Sequence, residues 1–246
     1  NKIFLIFVAL IILFLSYILI PNIYNQNEIS KKLENQLINK FDLNFNFPKK
    51  LNYNFFPRPH FTSEDAIILI NQDQISSIKK IKIFVSLENL FSIKNIKIKE
   101  VIIDNANFNL NSQNYNFFTK ILDNNFTDSN LKIQNSNIFF EKNDGEILFI
   151  NKILNMKYYY DMNELKNIFY SENELFNIPY EIELFHNKED KKFVSKLNLK
   201  FLNFQIKNDL IYKHKIKKGI AQIIYNKLKS TISYKTNNNF FEFNFF

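Results

Sequence analysis

The sequence predicts a mainly β protein: an N-terminal transmembrane helix and a short amphipathic helix, then a long curved antiparallel meander forming an open β-groove. Three observations predict it. From Leu51 to Leu110 apolar and polar residues alternate almost without a break, with Leu51, Tyr53 and Phe55, then Ile81, Ile83, Val85 and Leu87, then Ile96 and Ile98, then Ile102, Ala106, Phe108 and Leu110 on one side. A period of two is the strand signature, because successive side chains leave opposite faces of the pleat. The chain opens on an uncharged apolar run, Ile3 to Ile20. Similar alternating runs continue to the last residues, separated by Asn-rich turns.

The apolar run spans about 27 Å as a helix at ~1.5 Å per residue, close to the ~30 Å hydrocarbon core. A retained anchor and a cleaved secretory signal both fit its composition. Its length and the absence of a small-x-small site after Ile20 favour the anchor, which makes 1–24 a membrane segment and 25–246 the body. Lys2 before the run and Lys31 and Lys32 after it leave the orientation undecided by charge. Ile29, Leu33, Leu37 and Phe41 then recur every four residues, which predicts an amphipathic helix over 27–41 that covers a sheet edge or lies on a membrane surface.

Strands begin at Leu43. Leu43, Phe45 and Phe47 and then Leu51, Tyr53 and Phe55 predict two strands paired through a hairpin at Pro48-Lys49-Lys50. Ala66 to Ile70 is continuously apolar, as in a strand buried on both faces. Asn111 to Asn130 is a polar interruption with one or two helical turns in Tyr115–Leu122. Strands resume at Leu131–Glu141, Glu146–Ile150 and Ile153–Tyr160, with a hairpin signal at Asn143-Asp144-Gly145. Met162–Asn177 is ambiguous between helix and strand. Further strands are expected at Tyr180–Leu184, Phe193–Ile206, Leu210–Ile216, Ala221–Tyr225, Lys229–Tyr234 and Phe240–Phe245, with turns at Asn187–Asp190 and Lys217-Lys218-Gly219. A dozen to fourteen strands at ~4.8 Å spacing make a sheet about 60 Å wide. The apolar strand at the end of the chain, Phe240–Phe246, invites pairing, which is expected to come either from another chain or from a C-terminal part that this sequence lacks.

Composition narrows the function. With 46% hydrophobic residues, 29 Phe and 12 Tyr the chain is not a disordered one. Only 2 Gly leave little material for phosphate or oxyanion loops, and Asn takes over turns that need positive φ. The absence of Cys removes disulfides, thiolate metal sites and thiol nucleophiles. The net charge of +8 comes from lysines at alternate strand positions, a solvated face that protects sheet edges, and nucleic acid is not an expected partner. His60, His186 and His214 share no metal-ligand spacing, and the carboxylate pairs Glu64-Asp65 and Glu189-Asp190 diverge on a strand or turn. No catalytic motif is present, so no enzyme, metal or cofactor is expected.

Phe55-Phe56-Pro57-Arg58-Pro59-His60 followed by Ser63 to Leu69, then Ile81 to Phe91, then Ile96 to Leu110, resembles the early part of the AsmA family, matched roughly from Ile3 to Tyr160. The resemblance implies a short cytoplasmic N-terminus, a periplasmic body on the bacterial inner membrane, a taco-shaped β-groove, and a part in phospholipid movement and outer-membrane assembly.

An apolar sheet face has two fates. It closes as core, or it stays open as a trough for acyl chains, and alternation alone is the same for both. With the resemblance, the expected role is an inner-membrane-anchored phospholipid conduit, with another envelope protein as a candidate continuation of the sheet. The alternative is a scaffold for outer-membrane protein assembly or targeting that moves no lipid. The expected lining is Leu51, Tyr53, Phe55, Ile81, Ile83, Val85, Ile102, Phe108, Leu110, Leu197, Leu199 and Phe201. An open trough tolerates Phe108→Asp or Val85→Asp, whereas a closed core does not.

Overall fold

A computed structural model of the chain describes residues 2–70, 73–88, 90–123, 129–142, 144–187, 192–213, 216–237 and 241–245. Helix α1 (Lys2–Leu19) runs through a 3-10 turn, Ile20–Ile23, into α2 (Gln26–Phe41). Strands follow as β1 (Asn44–Asn46), β2 (Asn52–Asn54), β3 (His60–Ile70), β4 (Asp73–Val85) and β5 (Ile98–Leu110). A short helix, α3 (Phe117–Asp123), precedes β6 (Asn130–Glu141), β7 (Ile147–Asp161), β8 (Lys166–Leu175), β9 (Ile178–Asn187) and β10 (Lys192–Leu199). The last four are β11 (Phe204–Lys213), β12 (Ile216–Tyr225), β13 (Leu228–Thr236) and β14 (Phe241–Phe245). From β3 onward each strand hydrogen-bonds to the next in sequence, β1 and β2 both join β3, and β1 and β14 do not pair, so the sheet is not closed. The chain divides into two compact units, Asn1–Ala106 and Asn107–Phe246.

In the first unit α2 is the seal. Asn25 caps it, its side chain accepting from the backbone N–H of Asn27 at 3.0 Å and of Glu28 at 3.3 Å. Asp42 ends it in the left-handed region at φ 56°. Its apolar stripe, Ile29, Leu33, Leu37 and Phe41, is 0% exposed. Gln36 works as a surrogate strand partner, donating to the Ile96 carbonyl at 2.7 Å and accepting from the Ile98 N–H at 3.0 Å. The helix therefore covers an edge, as its period suggests.

Several elements differ from the sequence reading. β1 and β2 do not pair with each other. β1 pairs with the far end of β3 (Phe45 opposite Ile68) and β2 with its near end (Tyr53 opposite Phe61), so Pro48–Lys50 joins two strands on one partner and is not a hairpin. Ile67 and Leu69 are only half-buried while Ala66 and Ile68 are buried, so that run alternates after all. β7 is one strand through Asn151 and Lys152, because the buried Asn151 side chain accepts from the Tyr180 hydroxyl at 2.7 Å and needs no turn. Met162–Asn177 resolves into a turn and β8. Phe193–Ile206 is broken by a 3-10 turn, Lys200–Leu202, with Asn203 at φ 48°. Lys217-Lys218-Gly219 lies inside β12: the Tyr234 ring crosses Gly219 so closely that a Cβ would sit 2.2 Å from it, so this glycine serves a cross-strand ring and not a turn. Of the other expected turns and pairs, Asn143, residues 188–190 and His214 lie outside the described residues, as do Asn89, Phe240 and Phe246.

Gly145 forms the β6–β7 hairpin at φ 87° as expected. Elsewhere Asn and Asp carry seven of the ten left-handed positions among the described residues, at Asp42, Asp65, Asn105, Asn135, Asn177, Asn203 and Asn226, and Leu165, Phe176 and Lys227 take the others. Three of these sit inside strands, and each precedes a small buried residue: Asp65-Ala66, Asn105-Ala106 and Asn135-Ser136. At each one the inward parity flips. In β5, Val101 and Ile103 are buried before Asn105, and Ala106, Phe108 and Leu110 after it. Ile102 therefore belongs to the opposite side from Phe108, contrary to the expected grouping. Asn105→Val is expected to cost roughly 1–2 kcal/mol, since a β-branched side chain crowds the carbonyl in a region that Asn tolerates, while Asn105→Gly stays near neutral. Denaturant unfolding of the two variants checks this.

Candidate functional site

The register of β9 to β14 sorts the second unit's side chains into two faces. On one lie three rows of direct cross-strand neighbours. The first is Ile182, Leu197, Ile206, Ile223 and Ser230; the second is Leu184, Ser195, Asn208, Ala221, Ile232 and Phe245; the third is His186, Phe193, Leu210, Gly219, Tyr234 and Phe243. The one amide among them is satisfied, with the Tyr234 hydroxyl donating to Asn208 Oδ1 at 2.8 Å. The other face carries charge: Lys196 pairs with Glu183 at 3.0 Å, Lys192 with Asp209 at 3.0 Å, and Lys166 lies 4.1 Å above the Phe185 ring. Strict alternation of this kind makes an amphipathic sheet.

Coverage of the apolar face changes along the strand order. At the β5–β9 end α3 lies over it: Phe118 packs edge-on at 5.2 Å to Phe108, Phe117 sits 6.0 Å from the same ring, and Phe117, Phe118 and Ile121 are buried. Beneath this cap Ile153, Met156 and Tyr158 are buried together with Ser171 and Asn173, whose side chains bond to each other at 2.8 Å. Burial also raises the Tyr180 phenol above its ordinary pKa, keeping it a donor to Asn151. Beyond β9 no described α-helix lies on the face. Its central side chains are half-buried by one another, and Leu228, Phe241, Phe243 and Phe245 are more than half exposed. A hollow of about 470 Å³ in this region belongs to the charged side, between Lys192, Lys218, Lys235 and Glu242.

The twelve residues expected to line a trough scatter across the molecule. Leu51, Ile81, Ile83, Val85, Phe108 and Leu110 are packed in the cores, at 5% exposure or less. They present no surface to a ligand, and the expected tolerance of Phe108→Asp and Val85→Asp does not hold for such sites. Tyr53 is half-buried, with its hydroxyl donating to the Ile18 carbonyl at 2.8 Å. Phe55 lies in the turn after β2, and Ile102 faces away from the buried side of β5. Phe201 sits in the 3-10 turn and is 81% exposed. Only Leu197 and Leu199 lie on the open apolar face. The other apolar members of that face, Ile182, Leu184, Phe193, Ile206, Leu210, Ile223 and Ile232, are not picked out by the sequence because pairing depends on turn positions that composition does not mark.

Among the described residues the candidate catalytic side chains do not converge. His60 is buried at 5% exposure, Nδ1 donating to the Arg58 carbonyl at 2.7 Å, and Glu64 and Asp65 are exposed and shared by Lys49. Among the described residues no group of three or more His, Cys, Asp or Glu could hold a metal. In the first unit, one segment, Lys2–Ile23, is long and apolar enough to cross a membrane. No protein-family model matches the chain, and no curated protein is similar to it.

Proposed function

We propose that this chain is a membrane-anchored acceptor of phospholipid acyl chains, with α1 in the bilayer and the tails lying on the apolar rows of β9–β13. The observation that carries the reading is the uncovered state of those rows. Soluble monomers seldom expose a contiguous apolar surface of this extent, and a larger one marks a partner or lipid site. Each CH₂ removed from water contributes ~0.8 kcal/mol, so a two-chain lipid gains strongly by lying there. The mechanism is passive: tails move along a continuous apolar strip while the headgroup stays hydrated, and no bond is made or broken. Resemblance to the AsmA family supports placing the body in the periplasm on the bacterial inner membrane, in phospholipid transport during outer-membrane biogenesis. The seal by α2 and the cap by α3 support only the later strands as lining.

A phospholipid with a photoactivatable group near the acyl terminus tests this. Irradiation of the protein in membranes is expected to label peptides carrying Leu184, Ile206 and Ile232. Label confined to α1 contradicts lipid occupancy of the sheet and leaves a scaffold that moves no lipid.

A further inference from the structure

The end of α1 is not a loose tether. Three tyrosines fasten it and the segment after it to the body of the first unit. The Tyr17 hydroxyl donates to the Leu87 carbonyl at 2.6 Å and accepts from the Leu90 N–H at 3.1 Å. The Tyr24 hydroxyl donates to the Leu90 carbonyl, and that of Tyr53 to the Ile18 carbonyl at 2.8 Å. Burial, with Tyr24 and Tyr17 nearby, pushes the Tyr53 phenol up to about 12, so it stays a donor at any physiological pH. The Tyr17 ring also lies 4.7 Å from Phe91.

These bonds fix depth. If α1, Lys2–Leu19, spans the hydrocarbon, Tyr17 lies two residues inside its far end, about 3 Å at ~1.5 Å per residue. Whatever touches Tyr17 shares that level, where hydrocarbon gives way to headgroups. The loop between β4 and β5 is therefore at the membrane boundary, and its chemistry fits. Leu87 is 48% and Phe91 74% exposed. Ile23 at 83% and Phe56 at 78%, three residues beyond Tyr53, extend the same greasy rim. Among the loop's described backbone groups, the Leu87 and Leu90 carbonyls and the Leu90 N–H are taken by the tyrosines, and the Ile96 N–H bonds back to Ile93. Aromatic side chains concentrate at this depth in membrane proteins.

We infer that the first unit sits directly on the lipid surface through a collar of Ile23, Phe56, Leu87 and Phe91 around the exit of α1, which holds the body at a fixed height and orientation. This rests on α1 spanning a membrane and is independent of what the later strands bind. The chain has no Trp, so single-Trp variants report cleanly. Leu10→Trp marks the span, Phe91→Trp and Leu87→Trp the collar, and Gln74→Trp the other end of β4, about 36 Å along the strand at 3.3 Å per residue. The full chain is reconstituted in phosphatidylcholine vesicles with or without lipid brominated at acyl carbons 6 and 7. Phe91→Trp and Leu87→Trp are expected to lose about two-fold in emission with brominated lipid, as residues of an interfacial belt, while Gln74→Trp is unchanged. Quenching of Leu10→Trp with neither collar variant quenched overturns the collar. If Leu10→Trp itself is unquenched, the membrane span fails and the collar falls with it.

Discussion

Leu33→Ala is expected to destabilise the first unit by about 3 kcal/mol. Leu33 is 0% exposed and central in the stripe by which α2 covers the sheet. Removing its branched end forfeits transfer free energy and leaves a cavity, which together cost ~2–5 kcal/mol at sites of this kind. The helix has little else to hold it, since sixteen-residue helices are marginal without tertiary packing. Ile38→Ala on the same helix is the control: Ile38 is 38% exposed, and its loss is expected to cost below about 1 kcal/mol. Denaturant unfolding in detergent, followed by far-UV circular dichroism, separates the two. Equal effects contradict a sealed core.

The fold was largely legible and the site was not, for physical reasons. Alternation announces a strand directly, and α2 betrayed itself by Ile29, Leu33, Leu37 and Phe41. What alternation does not carry is the fate of the face. Ile83 and Ile206 read identically in the sequence, yet one is packed at 0% exposure and the other lies half-buried on an open row. The difference comes from α2 and α3, whose docking targets are tertiary. Parity was lost for a second reason. Asn105 looks like any polar residue in an alternating run, but its left-handed backbone moves Ile102 to one side and Phe108 to the other. Gly219 misled in the opposite direction: it reads as a turn and is a clearance for Tyr234. The break at Lys200–Leu202, which expels Phe201 from the sheet, has a sequence signal only in Asn203, another residue that tolerates positive φ.

Ile206→Asp is expected to abolish lipid retention while leaving the fold intact. Ile206 sits mid-row between Leu197 and Ile223 on a face open to solvent, so an ionised carboxylate there keeps its water and costs about 1 kcal/mol or less in stability. To an acyl chain it is a different surface. A lipid tail laid across it must either strip the carboxylate of water, at a cost of several kcal/mol, or leave the row. The same change at Ile83 has no such escape and is expected to prevent folding of the first unit.

Mass spectrometry of phospholipid carried by the protein after gentle extraction tests the central claim most directly. Bound phospholipid in the natural chain, falling about ten-fold or more in a folded Ile206→Asp chain, is the predicted result, corresponding to a loss of at least ~1.4 kcal/mol of binding. Phospholipid absent from the natural chain, or carried equally by both, contradicts an apolar strip that holds acyl tails.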